Sequence, residues 1–168
     1  MVDNLTTALF EYVQERDRAE FALGDTLDVK TGLVLAGLTF LAIQSGDFIK
    51  SNLPLYEVVA QVISILALIG GGILAVCELW PQGYDREPTP EKYETWIIDA
   101  NKYNTEHPEE VAVSIGEEFV LMRLKTAKER VQTNLAINKR KSSLMAASFW
   151  CLITAFAANI ATLILRLF

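Results

Sequence analysis

The chain has 168 residues, half of them apolar, and a formal net charge of −6. That length suits one domain, a single membrane-integrated unit over 1–168. The acidic balance excludes bulk binding to nucleic acid, which needs a basic surface. The two cysteines, Cys77 and Cys151, both lie inside apolar runs. They read as small buried hydrophobes rather than as a disulfide or a reactive thiol, and they say nothing about compartment.

The first 25 residues carry Glu11, Glu15, Arg16, Asp17, Arg18 and Glu20. They lack the apolar core of a secretory signal, so insertion is expected to use the first apolar span itself. Within this N-terminal segment, 1–26, residues 3–24 are expected to form an amphipathic helix. Leu5, Leu9, Tyr12 and Val13 would share its apolar face, and Gly24 would loosen its junction with the first span.

Three long stretches are nearly free of charge: Val29 to Ile49, Val58 to Leu79 and Ser142 to Leu165. About 20 helical residues cross a hydrocarbon core of about 30 Å, and none of the three shows the polar face of a water-soluble helix. The expected fold is therefore an all-α integral membrane protein with three transmembrane helices, at 29–49, 56–80 and 142–166. The turn Lys50-Ser51-Asn52-Leu53-Pro54 makes the first two a hairpin. Gly32 and Ala36 give the first span a small-xxx-small pair for close packing. The second contains Gly70-Gly71-Gly72, a packing or hinge point. It ends at Trp80, suited to a membrane interface, and Pro81, which stops a helix.

Residues 81–141 form the charged helical segment. Thr89-Pro90 reads as an N-cap with proline at the first helical position. Tyr93, Trp96, Ile97 and Ala100 share an apolar face. Pro108-Glu109-Glu110 reads as a second helix start, from which a long helix would run into the third span with Val120, Leu124, Ala127, Val131 and Leu135 along one stripe. Of the 15 lysines and arginines, 13 fall in residues 1–30, counting Lys30 at the start of the first span, or in 81–141, leaving Lys50 and Arg166. That bias predicts a cytoplasmic N-terminus, an external C-terminus and cytoplasmic amphipathic helices, in a bacterial inner membrane as a multi-pass protein.

No catalytic constellation is found, and the chain is not expected to be an enzyme. The single histidine, His107, has no partners at triad or zinc spacing and reads as a helix-cap residue. Phosphate-binding glycine loops are missing from the sequence, and no cofactor or metal is expected. Polar groups at the span ends are Gln44, Asp47, Glu57, Gln61 and Glu78. They face headgroups and water, or else a polar path through an oligomer.

Two clusters remain as candidate sites. Arg123, Lys125, Lys128, Arg130, Lys139, Arg140 and Lys141 would anchor the chain to anionic lipid or hold a phosphorylated ligand. Ala147, Cys151, Ala155, Ala158 and Thr162, with Asn159 beside them, form a small-residue stripe. With Gly70, Gly71 and Gly72 it would pack inside one protomer or line the face of a homo-oligomer or gate.

The run Leu27-Asp28-Val29-Lys30-Thr31-Gly32 leads an N-terminal helix into the first span. Asn134, Asn138 and Lys141 precede Leu144 and Ala147 at the third. With the hairpin, the proline after it and the charged helix, this layout resembles the transmembrane effectors of the Pycsar anti-phage system and the related SLATT membrane effectors. The resemblance implies an antiviral defence effector of the inner membrane. It would oligomerise and perturb or permeabilise the bilayer when a nucleotide second messenger, such as a cyclic nucleotide, or a partner triggers it. A non-enzymatic membrane adaptor that anchors a cytoplasmic partner is the competing expectation.

Overall fold

A computed structural model describes residues 4–46, 54–108 and 114–167. Four helices occur in order: α1 (Asn4–Gly46), α2 (Leu55–Leu79), α3 (Pro90–Glu106) and α4 (Ile115–Leu167). No strand occurs among the described residues. Three helices, α1, α2 and α4, are long and apolar enough to cross a membrane. The expected turn at 50–53, Asp47 and the helix start at Glu109-Glu110 lie outside the described residues; α4 is described from Ile115.

α2 begins after Pro54, whose extended backbone caps it. It ends at Trp80, held extended because the ring of Pro81 disfavours helical geometry in the preceding residue. The three glycines do not interrupt it. α3 starts at Pro90 behind Thr89, as its sequence predicts. The Thr89 hydroxyl makes no capping bond. The same hydroxyl stands beside the Glu91 carboxylate and holds its pKa below the ordinary value. His107 closes α3, its backbone N–H bonding the Tyr103 carbonyl and its ring stacked on Tyr103.

The N-terminal helix and the first span, expected to meet at a junction loosened by Gly24, are one helix: α1 runs unbroken from Asn4 to Gly46. One glycine removes a side chain and some rigidity but no backbone hydrogen bond, and Gly24 falls on the buried side of the helix. That side is not the expected one either. Leu9 and Tyr12 are exposed, whereas Val13, Asp17 and Glu20 are buried.

Buried positions keep one rhythm in all three long helices. In α1 they are Val13, Asp17, Glu20, Gly24, Leu27, Thr31, Val34, Leu38 and Leu41. In α2 they are Glu57, Ser64, Leu68, Gly71, Ala75 and Glu78. In α4, Ala127, Asn134, Lys141, Ser148, Ala155 and Thr162 recur every seventh residue. Alternating steps of three and four are the period of left-handed coiled-coil packing.

The chain divides into two compact units. The first comprises Met1–Ala22 and Gly83–Ile137, the second Leu23–Gln82 and Asn138–Phe168. In the first, Val13, Leu124 and Ala127 form the core, with Phe10 and Val131 against it. Arg130 is buried and donates to Asp17 Oδ2 from both Nη2, at 3.0 Å, and Nε, at 3.3 Å. The expected stripe holds except at its end, since Leu135 is exposed; Asn134 takes the inward position and bonds Asp85.

In the second unit Val34, Leu38, Leu41, Leu68 and Ala155 make the core. α1 and α4 pair there at offsets of 113 and 114, Asp28 with Lys141 and Ser45 with Asn159, so they run parallel. α2 returns antiparallel, bringing Glu57 to Arg166 at its start. Gly32 and Ala36 face outward, and a Cβ on Gly32 would meet nothing. The close approaches occur instead at Gly37, against Leu152, and at Gly71, against Cys151 and Leu38.

Candidate functional site

Several polar side chains of the second unit point inward while many large apolar ones point outward. Glu57, Ser64, Glu78, Thr31, Ser148 and Thr162 are buried. Ile63, Leu66, Ile69, Ile73, Phe149 and Trp150 are exposed. This inverts the usual arrangement of a protein in water.

The inward polar groups lie at distinct levels along α2. At its start Arg166 Nε donates to Glu57 Oε2 at 2.8 Å, with Glu57 buried. Two turns on, Ser64 donates to Asn159 Oδ1 at 3.0 Å, and Asn159 Nδ2 donates to Ser45 Oγ at 3.2 Å. The Ser148 hydroxyl then donates to the Gly71 carbonyl at 3.0 Å. At the far end Glu78 is fully buried. It faces Thr31, Asp28 and Lys141, and Lys141 is paired to Asp28. Glu57 and Glu78 stand 21 positions apart, about 32 Å along a helix, which matches the thickness of a bilayer's hydrocarbon core. Tyr56 and Trp80, both exposed, flank the same two levels.

The glutamates thus turn inward rather than toward headgroups and water. Their positions were readable: Glu57, Ser64, Gly71 and Glu78 recur every seventh residue, and so do Asn134, Lys141 and Ser148. Hydropathy alone hides this, because a helix apolar all round has no marked side until its few polar residues are placed on a wheel.

The predicted basic cluster separates. Arg130 and Lys141 are buried against carboxylates. Lys125, Lys128, Lys139 and Arg140 are exposed. Arg123 occupies a third setting, in a cleft of the first unit of about 540 Å³. Its Nη2 donates to Glu87 Oε1 at 2.9 Å. Its guanidinium lies 4.8 Å from the Phe10 ring centre and 5.5 Å from that of Tyr93. Phe119 closes the same wall, edge-on to Tyr93 at 5.4 Å. Arg123 Nε, buried, makes no hydrogen bond. The cleft also holds Glu94, so its carboxylates outnumber its guanidinium by one.

The small-residue stripe of α4 packs within the chain for most of its length. Ala155 and Thr162 are buried, Cys151 meets Gly71, and Ala147 alone faces out, with Ser148 turned inward beside it. Gly70 and Gly72 would tolerate a Cβ without contact. Among the described residues there is no group of three or more histidine, cysteine, aspartate or glutamate side chains placed to hold a metal ion. Comparison with protein families, with curated proteins and with solved structures finds no match for the chain.

Proposed function

We propose that the protein is a three-span membrane effector whose first unit receives a trigger and whose second spans the bilayer. The single observation that carries this reading is the continuity of α1 and α4. Each is one helix with residues in both units. A ligand that prefers one arrangement of the first unit would bias the helices that build the second, without intervening linkers.

Membrane insertion is supported by the outward apolar side chains and by the ionic levels of α2, spaced at about 32 Å. The lysine and arginine bias supports a cytoplasmic placement of the N-terminus and residues 81–141. Exposed Lys139 and Arg140 suit contact with anionic headgroups. Resemblance to Pycsar and SLATT effectors supplies the biological setting, defence against phage at the bacterial inner membrane with a cyclic nucleotide as trigger. The Arg123 cleft is where such a trigger would act. Its aromatic walls suit a planar base, and a phosphate would take Glu87's place on Arg123, releasing the segment ahead of α3. Self-association would complete the membrane lesion.

The test is ion flux from liposomes holding the purified full chain, with and without a panel of cyclic mono- and oligonucleotides. Flux dependent on one nucleotide, and lost in Arg123→Gln, is the expected result. No flux from folded, inserted protein would favour the membrane adaptor, a reading that the closed, internally paired bundle also suits.

A further inference from the structure

The Glu78 level is one positive charge short. Lys141 is paired to Asp28 and also lies near Glu78, so two carboxylates, Asp28 and the fully buried Glu78, share one positive charge. Neither Glu78 oxygen has a hydrogen-bond partner. Isolating a carboxylate in this way is costly unless a counter-charge accompanies it.

A second observation points to the same place. The buried Thr31 hydroxyl also has no hydrogen-bond partner. Other helical threonines of this chain turn their hydroxyl back to the carbonyl four residues earlier: Thr39 to Leu35, Thr126 to Met122, Thr154 to Trp150 and Thr162 to Ala158. Thr31 does not, and Glu78 faces it. The Thr31 hydroxyl on α1 and the Glu78 carboxylate on α2 therefore face one another, neither holding a hydrogen bond to any other group, in a buried site with one net negative charge.

We infer that Glu78 and Thr31, with Asp28 beside them, bind a single monovalent metal cation of the sodium or potassium class. Hard oxygen donors suit such an ion, and one positive charge restores neutrality where a divalent ion would overshoot. Lys141 restricts the site to one ion by occupying Asp28. The cation would tie α1 to α2 close to where the chain passes from one unit to the other: Asp28, Glu78 and Lys141 stand five, four and three residues inside the limits Leu23, Gln82 and Asn138. The inference does not depend on whether the chain permeabilises membranes.

The experiment is thermal unfolding of the full chain in nanodiscs, at fixed ionic strength and pH, in sodium, potassium or N-methylglucamine chloride. It is paired with radioactive sodium binding. A ligand held only by the folded state raises the midpoint with concentration. Expected are a saturable rise with sodium or potassium over N-methylglucamine, and one sodium bound per chain. Glu78→Gln should lose both, while matching without metal the stability that wild type reaches with it. Thr31→Val should fold and bind sodium several-fold more weakly. A wild-type midpoint indifferent to the cation, or a sodium response unchanged in Glu78→Gln, would overturn the inference. So would a midpoint that follows pH alone, which assigns the missing charge to a proton.

Discussion

A Cβ placed on Gly71 would stand 2.8 Å from the Cβ of Cys151 and 3.1 Å from the methyls of Leu38. Real side-chain carbons do not approach that closely, so α2 and α4 meet here because residue 71 has no side chain. Gly70 and Gly72, one position to either side, have open space. Gly71→Ala is expected to destabilise the protein by about 1–3 kcal/mol through overpacking. Gly70→Ala should be neutral or stabilise it by up to about 1 kcal/mol through helix propensity. Unfolding in detergent by a denaturant reads both. Adding Cys151→Gly to Gly71→Ala should recover part of the loss.

Asp17 and Arg130 are both buried, and Asp17 Oδ1 is already without a partner. Removing one member strands the other, so Asp17→Ala should cost about 3–5 kcal/mol. Replacing both with apolar residues, Asp17→Leu with Arg130→Met, should restore most of the stability. Hydrogen exchange of α1 residues 10–22 measures it: exchange rises in the single variant and returns toward wild type in the double.

Asn159 bridges Ser64 of α2 and Ser45 of α1 within one chain. Asn159→Leu should lower stability by about 0.5–2 kcal/mol, the range for an interhelical polar contact in a bilayer. It should leave the oligomer distribution unchanged. Chemical crosslinking of the two proteins in liposomes separates these effects, and a changed distribution would place Asn159 at an interface between copies.

Ile98 lies on the outer side of α3 and is well exposed. Ile98→Cys, in a Cys77→Ser/Cys151→Ala background, should resist a membrane-impermeant thiol reagent in intact spheroplasts and react in inverted vesicles. Labelling in spheroplasts would reverse the proposed orientation.

Glu91 gives a small, signed pH effect. Its carboxyl is held low by the Thr89 hydroxyl, so the charged form is favoured in the folded state. That contribution is present above the ordinary carboxylate pKa and fades as pH falls through the lowered one. Thr89→Val should raise the Glu91 pKa, as read from its side-chain carbonyl resonance during a titration.

The sequence declared its apolar helices because about 20 uncharged residues have few other uses, and it declared α3 because Thr89-Pro90 carries a local stereochemical preference. Rotation about each helix axis was harder to see. Glu57 and Glu78 looked like span ends, and only their contacts with Arg166 and Thr31, 109 and 47 residues away, turn them inward. The N-terminal helix misled for the same reason. Leu9 and Tyr12 form a plausible apolar face, but Asp17 has its partner in Arg130, 113 residues on. The seven-residue recurrence was visible throughout, yet it recurs in polar residues, where a hydrophobic pattern does not register it.

Because every long helix keeps its inward and outward residues on separate sides, what the protein folds around and what it dissolves in are written in different letters. Ile63, Leu66, Ile69 and Ile73 could be exchanged for lysine and glutamate while Ser64, Leu68, Gly71 and Ala75 stay untouched. Such a chain, changed likewise along α1 and α4, would keep its helix pairing and lose the apolar surface on which the proposed membrane insertion rests. Solvent preference is thus a coat that this architecture wears, and a counterpart with a polar exterior lies within reach of surface substitutions alone.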